Sequence, residues 1–252
     1  MANRAEELVK YVQDKDKVIF GGVVGSYNFG LADGKSDNDV RFYVFPTMSD
    51  LVRRRMTRML FIAEESDIQV HDIRRSEYMF SMGDANQLSI LFSKELYINP
   101  KYKDFVMPLI ERREELVERC AANIYSWALS MFDKKMGQLH YFKRNEIVYE
   151  KFGYNTKAAG QAIYHLKLIE KYFHNLEYRI DKPFENAMDC SDIRDLVIDI
   201  RNGKYSLEEF NEIADAALTS YNSIQNIKKN GFSAAPSWYI NSMYNACAKY
   251  CR

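Results

Sequence analysis

The chain is predicted to have an α+β fold: a mixed strand-and-helix domain over residues 1–104, followed by an all-helical domain over 105–252. Three observations predict it. Strand-like and helix-like segments alternate through the first hundred residues. After about residue 104 only long helical patterns remain. The composition, 47% hydrophobic and 14% aromatic over 252 residues, supplies enough apolar surface for folded cores.

Residues 4–13 read as an amphipathic helix with acids inside it, not as the apolar run of a signal peptide. Val18 to Val24, VIFGGVV, reads as a buried strand ending in a glycine-rich turn. A second strand runs from Asp39 to Phe45 and is stopped by Pro46. Residues 49–62, rich in Arg and Met, read as a helix. Its buried side is Leu51, Met56, Met59 and Leu60, and its solvated face carries Arg53, Arg54, Arg55 and Arg58. A grip on nucleic acid by those arginines is the less favoured reading. Asp67 to Ile73 reads as a third strand. In the helical half, Ala158, Ala159, Ala162, Ile163, Leu166, Ile169 and Phe173 recur at three- and four-residue intervals, an amphipathic stripe over 156–173. Ser206 and Glu209 form a capping box, and Gly231 is the expected stop of that helix. No internal repeat or low-complexity linker separates the halves.

Lys+Arg and Asp+Glu each total 35, so the formal net charge is zero. That argues against a polyanion-coating protein and leaves room for a local basic groove. No apolar run approaches the ~20 residues that span a bilayer, so no membrane partner is expected. Cys120, Cys190, Cys247 and Cys251 are scattered. Cys247 and Cys251, one helical turn apart with no His near them in sequence, read as reduced buried thiols and not as a zinc pair. A cytoplasmic location is expected.

The chemistry concentrates in Gly25-Ser26-Tyr27-Asn28-Phe29-Gly30 and Ser36-Asp37-Asn38-Asp39-Val40-Arg41. A strand running into Gly-Ser and a short helix offers free backbone amides and a hydroxyl to phosphate oxygens. On a strand, Asp37 and Asp39 project to one side, while Val40, Phe42 and Val44 take the other and enter the core. Two such carboxylates repel unless a cation lies between them, and magnesium suits an oxygen-rich site. In Asp67-Ile68-Gln69-Val70-His71, alternation brings Asp67 toward the earlier acids. Asp72 has the wrong parity. Three converging acids can hold two metal ions.

Lesser candidates surround these. Arg41 shares the parity of Asp39 and would reach a triphosphate or pair with a carboxylate. Lys35 and Ser36 would touch a phosphate or be solvated in their loop. Arg74 and Arg75 read as surface ion-pairing residues before phosphate ligands. His71 reads as a packed or hydrogen-bonded histidine.

G-S-x-x-F-G-L followed by S-D-x-D-V-R-F resembles the nucleotidyltransferases of the RlaP type, within the polymerase beta superfamily. Asp67-Ile-Gln-Val-His-Asp-Ile is similar to the strand with that family's third acid, and Asn86-Gln-Leu-Ser-Ile-Leu-Phe-Ser to its asparagine-containing helix start. Gly153-Tyr-Asn-Thr-Lys157 resembles its G-Y-D-x-K segment, and Ile200-Arg-Asn-Gly-Lys204 its I-R-x-G turn, so the likeness extends over roughly 18–210. It implies a minimal nucleotidyltransferase mixed sheet with a helical partner domain, binding a nucleoside triphosphate with magnesium, or with manganese in its place. It implies Gly25 and Ser26 at the phosphates, Asp37, Asp39 and Asp67 as catalytic metal ligands, and Lys157 as a nucleotide contact. Ala158, Gln161 and Tyr164 depart from the His and Arg that the family carries there.

Two functions are weighed. The first is an enzyme of the EC 2.7.7 type that moves a nucleoside monophosphate from a triphosphate to a hydroxyl of an RNA, protein or small molecule, releasing pyrophosphate. The second is a silent nucleotide-sensing or protein-binding module, inhibitor- or antitoxin-like. Three acids in matching parity favour the first, and the departures at 158, 161 and 164 support the second.

Overall fold

The protein is described by a computed structural model over residues 3–33, 36–140, 146–173, 183–224 and 234–251. It forms two compact units, one of residues 1–121 with 232–252 and one of residues 122–231. This differs from a division at 104/105, because the chain returns to the sheet unit near its end. The reason is an aromatic cluster. The Phe45 ring lies 5.0 Å from Tyr102, 5.9 Å from Phe105 and 5.4 Å from Tyr250, drawing three distant segments onto one apolar site.

The sheet unit holds five strands, β1 (Val18–Val24), β2 (Asn38–Val44), β3 (Arg58–Ala63), β4 (Ser66–Asp72) and β5 (Leu96–Ile98), in the order β3-β4-β2-β1-β5. Only β2 and β4 pair in parallel; the other neighbours are antiparallel. On one face, Val40, Phe42, Val44, Ile68 and Val70 bury themselves with Ala5 and Leu8 of helix α1 (Arg4–Leu8) and with Val12. On the other face, the rings of Phe20 and Tyr43 stack at 5.2 Å, and Phe80 continues the contact to Tyr43 at 6.2 Å and to Tyr239 at 5.6 Å.

The expected helix over 49–62 is corrected. A short helix, α2 (Met48–Val52), is fixed at its start by a Thr47/Asp50 capping box. The chain then turns through Arg54 at positive φ and enters β3. Leu60, expected on a buried helix face, is 70% exposed on this edge strand. A two-residue turn, Glu64-Glu65, joins β3 to β4, with both residues at positive φ as in a type I′ hairpin. The Glu64 carboxylate is held there by Lys10 and by the Tyr11 hydroxyl.

In the helical unit, the helix Thr156–Tyr172 is buried on nearly every side. Helices Arg194–Arg201 and Leu207–Ser223 pack on it. The Tyr125 and Tyr221 rings stack at 4.2 Å, and the Tyr221 hydroxyl donates to the Tyr125 carbonyl at 2.9 Å. The expected capping box is present, Ser206 accepting from the Glu209 amide and Glu209 from the Ser206 amide. That helix ends at Ser223; Gly231 lies outside the described residues. The segments at 153–157 and 200–204 meet each other: Thr156 Oγ1 donates to the Arg201 carbonyl at 2.8 Å, and the Tyr154 hydroxyl to the Tyr205 carbonyl at 2.9 Å. Among the described residues, no helix is long and apolar enough to cross a membrane.

Candidate active site

Strand β1 ends at Val24, and the chain closes a 3-10 turn over Gly25–Tyr27. The amides of Asn28 and Phe29 donate back to the Gly25 carbonyl at 3.0 and 3.2 Å, so the bonds of this turn use neither the Ser26 nor the Tyr27 amide. Gly25 has φ +69°, and a Cβ on it would lie 2.5 Å from Asp39 Oδ2. Glycine is therefore required twice here, by backbone conformation and by the carboxylate against it.

Asp39 pairs with Val24 across β1/β2 and with Asp67 across the parallel β2/β4 ladder. Residues in register on neighbouring strands share a face, with Cβ atoms about 5 Å apart. Asp39 and Asp67 thus stand side by side, half-buried, beside the Gly25 turn. The Asp67 carboxylate makes no hydrogen bond or ion pair among the described residues. Asp37 is exposed, one residue ahead of β2. Among the described residues no three His, Cys, Asp or Glu side chains are gathered closely enough to hold a metal ion. The pair and the cradle formed by Gly25 nevertheless suit a hard cation, since magnesium takes one or two carboxylates and fills its remaining positions with phosphate oxygens and water.

The other predicted residues fall in different places. Arg41 is 6% exposed; its Nη1 donates to the Asn86 carbonyl at 2.6 Å and its Nη2 to Gln69 Oε1 at 3.3 Å. Burial lowers its pKa, and the neighbouring Tyr43 hydroxyl and the carboxylates of Asp84 and Asp39 partly offset that. It therefore braces β2 against β4 and against helix α4 (Ala85–Leu88), whose start is capped by the Asp84 side chain. Ser26 is half-buried. Ser36 stitches its own loop, its hydroxyl donating to Asp33 Oδ1 at 2.9 Å and accepting from the Asp33 amide at 3.0 Å. Lys35 lies outside the described residues. Lys157 is exposed in the first turn of its helix in the second unit, where Ala158 and Tyr164 are buried and Gln161 is half-buried.

Asp72 and Arg74 have a structural part. Asp72 is fully buried, and Arg74 at the start of helix α3 (Arg74–Ser81) donates Nε and Nη2 to its two oxygens at 2.9 and 2.6 Å. This is an interior ion pair, not the surface pair expected for Arg74. Cys247 and Cys251 are buried and free, and burial pushes the Cys247 thiol up to about 12. One residue near the site had no sequence signal. Arg4 of α1 donates to Asn38 Oδ1 and sits 5.9 Å from the Tyr27 ring centre, tying the Gly-Ser turn to the head of β2.

His71 faces the same side as Asp67, two pairs along β4, and is 5% exposed. Burial and the charges of Arg41, Arg75 and Arg58 lower its pKa to about 4. The folded imidazole stays neutral while the unfolded one titrates near its ordinary value of 6.5. As pH falls from 6.5 toward 4, the unfolded state takes up a proton that the folded state refuses, and stability is lost. The thermal midpoint should fall across that window, and His71→Gln should make the fall shallower. An unchanged pH profile in His71→Gln would assign the acid sensitivity elsewhere.

Gly25→Ala tests the cradle. It places an L-residue in the left-handed region, at a cost of about 1–2 kcal/mol, and drives its methyl into Asp39. Activity should fall further than stability, because the displaced carboxylate belongs to the candidate pair Asp39 and Asp67. Full activity in Gly25→Ala would show that the position of Asp39 is not critical.

A family model for RlaP, described as the RNA repair pathway DNA polymerase beta family, matches residues 1–176. No curated protein matches the chain. The family match takes in the whole five-stranded sheet and the helix Thr156–Tyr172, and stops short of the 200–204 segment. Covering more than half of the sequence, it shows that the chain belongs to the RNA repair pathway DNA polymerase beta family, a group of polymerase beta-type nucleotidyltransferases.

Proposed function

We propose that the protein transfers a nucleoside monophosphate from a nucleoside triphosphate to a hydroxyl acceptor, with an RNA end as the first candidate, and that the reaction depends on magnesium. The observation that carries this reading is the register of Asp39 with Asp67 beside Gly25. The bond between the α-phosphorus and the departing pyrophosphate breaks, and a bond from the acceptor oxygen to that phosphorus forms.

Asp39 and Asp67, with Asp37 two positions before Asp39, are the residues that would hold the metal ions, which supply charge neutralisation and a more acidic attacking hydroxyl. The Gly25-Ser26 turn receives the phosphates through its amides and hydroxyl. Asp67 offers a carboxylate without a hydrogen-bond partner among the described residues for the proton leaving the acceptor. Arg41 acts indirectly, keeping β2, β4 and α4 in place while its neighbours bind. Catalysis then comes from alignment and charge, with no protein nucleophile.

The test has two steps. Melting curves with each triphosphate, with and without magnesium, should show a magnesium-dependent rise. Incubation with α-labelled triphosphates and RNA, protein or small-molecule acceptors should then yield labelled product. Failure to bind any triphosphate with magnesium present, together with no labelled product, would favour a silent binding module.

A further inference from the structure

We infer that the outer face of β3 and the turn before it form a track along which a single-stranded polynucleotide acceptor reaches the carboxylates. The inference rests on the transfer reaction proposed above and adds to it the surface that takes the acceptor. Four arginines, Arg53, Arg54, Arg55 and Arg58, are exposed within six consecutive positions of the turn and strand. None has a carboxylate partner among the described residues. Other surface cations do have carboxylate partners, as Lys10 has Glu64, Lys17 has Asp14 and Arg112 has Glu115, and among the described residues no other four arginines stand so close together without one. In a chain of zero net charge, such an unbalanced basic strip calls for an external anion.

The strip also leads to the site. Arg58 pairs with His71, Leu60 with Gln69 and Ile62 with Asp67, so these three share the face of the acids and end beside one. From Arg58 to Ile62 the strand advances about 13 Å. Leu60 is 70% and Ile62 74% exposed. An edge strand needs only a charge to deter pairing with another chain, and two bare aliphatic side chains work against that defence. A single strand explains both features. Its phosphates match the arginines, and its unpaired bases offer apolar faces to Leu60 and Ile62 that a duplex hides.

Fluorescence anisotropy of the full chain with a short labelled oligouridylate tests this across a range of salt. With four phosphate contacts, the logarithm of the affinity should fall with the logarithm of salt at a slope of about −2.8. Replacing all four arginines by alanine should weaken binding about tenfold or more and bring the slope toward zero. Leu60→Ser with Ile62→Ser should weaken it by a smaller factor and leave the slope intact. A retained magnesium-dependent melting shift with triphosphate would show that each variant is folded with its donor site whole.

Oligouridylate binding that the arginine replacements leave unchanged overturns the inference, and so does a wild type that prefers polyglutamate to oligouridylate. Binding lost with the arginines but unaccompanied by label transfer in any assay keeps the track and sinks the reaction. Transfer to other hydroxyls without oligouridylate binding does the reverse.

Discussion

Asp39→Ala is expected to reduce label transfer by on the order of 10²–10³-fold or more, the scale on which loss of one charge-stabilising group is felt in a preorganised site. Its effect on stability is expected to be small beside its effect on transfer. Asp39 stands in register with Asp67, and two half-buried carboxylates so placed repel each other. Removing one relieves that repulsion but also takes an anion from near the buried Arg41 guanidinium, so the melting midpoint measured without metal or nucleotide should change little. The magnesium-dependent shift with triphosphate should shrink in the same protein. Transfer that survives Asp39→Ala at the wild-type rate would remove the proposed mechanism, and a collapse in stability would recast Asp39 as a structural residue.

The core of this site was legible because strands have a period of two. The apolar run Val18–Val24 coincides with β1 residue for residue, and the alternation in Asp39–Phe45 and Asp67–Ile73 places β2 and β4 within one residue of their bounds. With the faces known, Asp39 and Asp67 could be assigned to one side and Asp72 to the other. Strand β3 escaped for two physical reasons. Its Arg, Met and Leu are good helix formers, and only its tertiary position at a sheet edge overrides that preference. Its hairpin turn is Glu64-Glu65, where an Asn-Gly or Asp-Gly pair would have announced the bend.

Other gaps have the same non-local origin. Parity alone offers Arg41 to a triphosphate or to a neighbouring carboxylate. The carbonyl of Asn86, which takes its guanidinium, lies 45 positions away in sequence. Arg4 shows no periodic signal for its contacts with Asn38 and Tyr27, since both depend on where α1 is laid. The return of Tyr239 and Tyr250 to the sheet unit rests on ring contacts with Phe80 and Phe45, which no spacing along the chain encodes.

Asp72 and Asp67 lie on one strand, five residues apart and on opposite faces, and should respond in opposite ways. Asp72 is fully enclosed and its oxygens take the Arg74 amide, Nε and Nη2. Asp72→Ala leaves that guanidinium without its anion and the α3 start without an acceptor. Breaking such a pair from one side costs about 3–5 kcal/mol. The lower end applies here, because the Arg74 side chain keeps 15% exposure and also donates to the Arg55 carbonyl. A loss of about 3 kcal/mol should lower the melting midpoint by about 6–12 °C. Asp72→Asn, which keeps an acceptor and loses the charge, should fall between the two. At a temperature where Asp72→Ala is still folded, its transfer rate per folded molecule should stay near wild type, whereas Asp67→Ala should be stable and inactive. If both substitutions instead abolish transfer at full stability, the two faces of β4 are not separate in function, and the placement of the site on the Asp39 side is wrong.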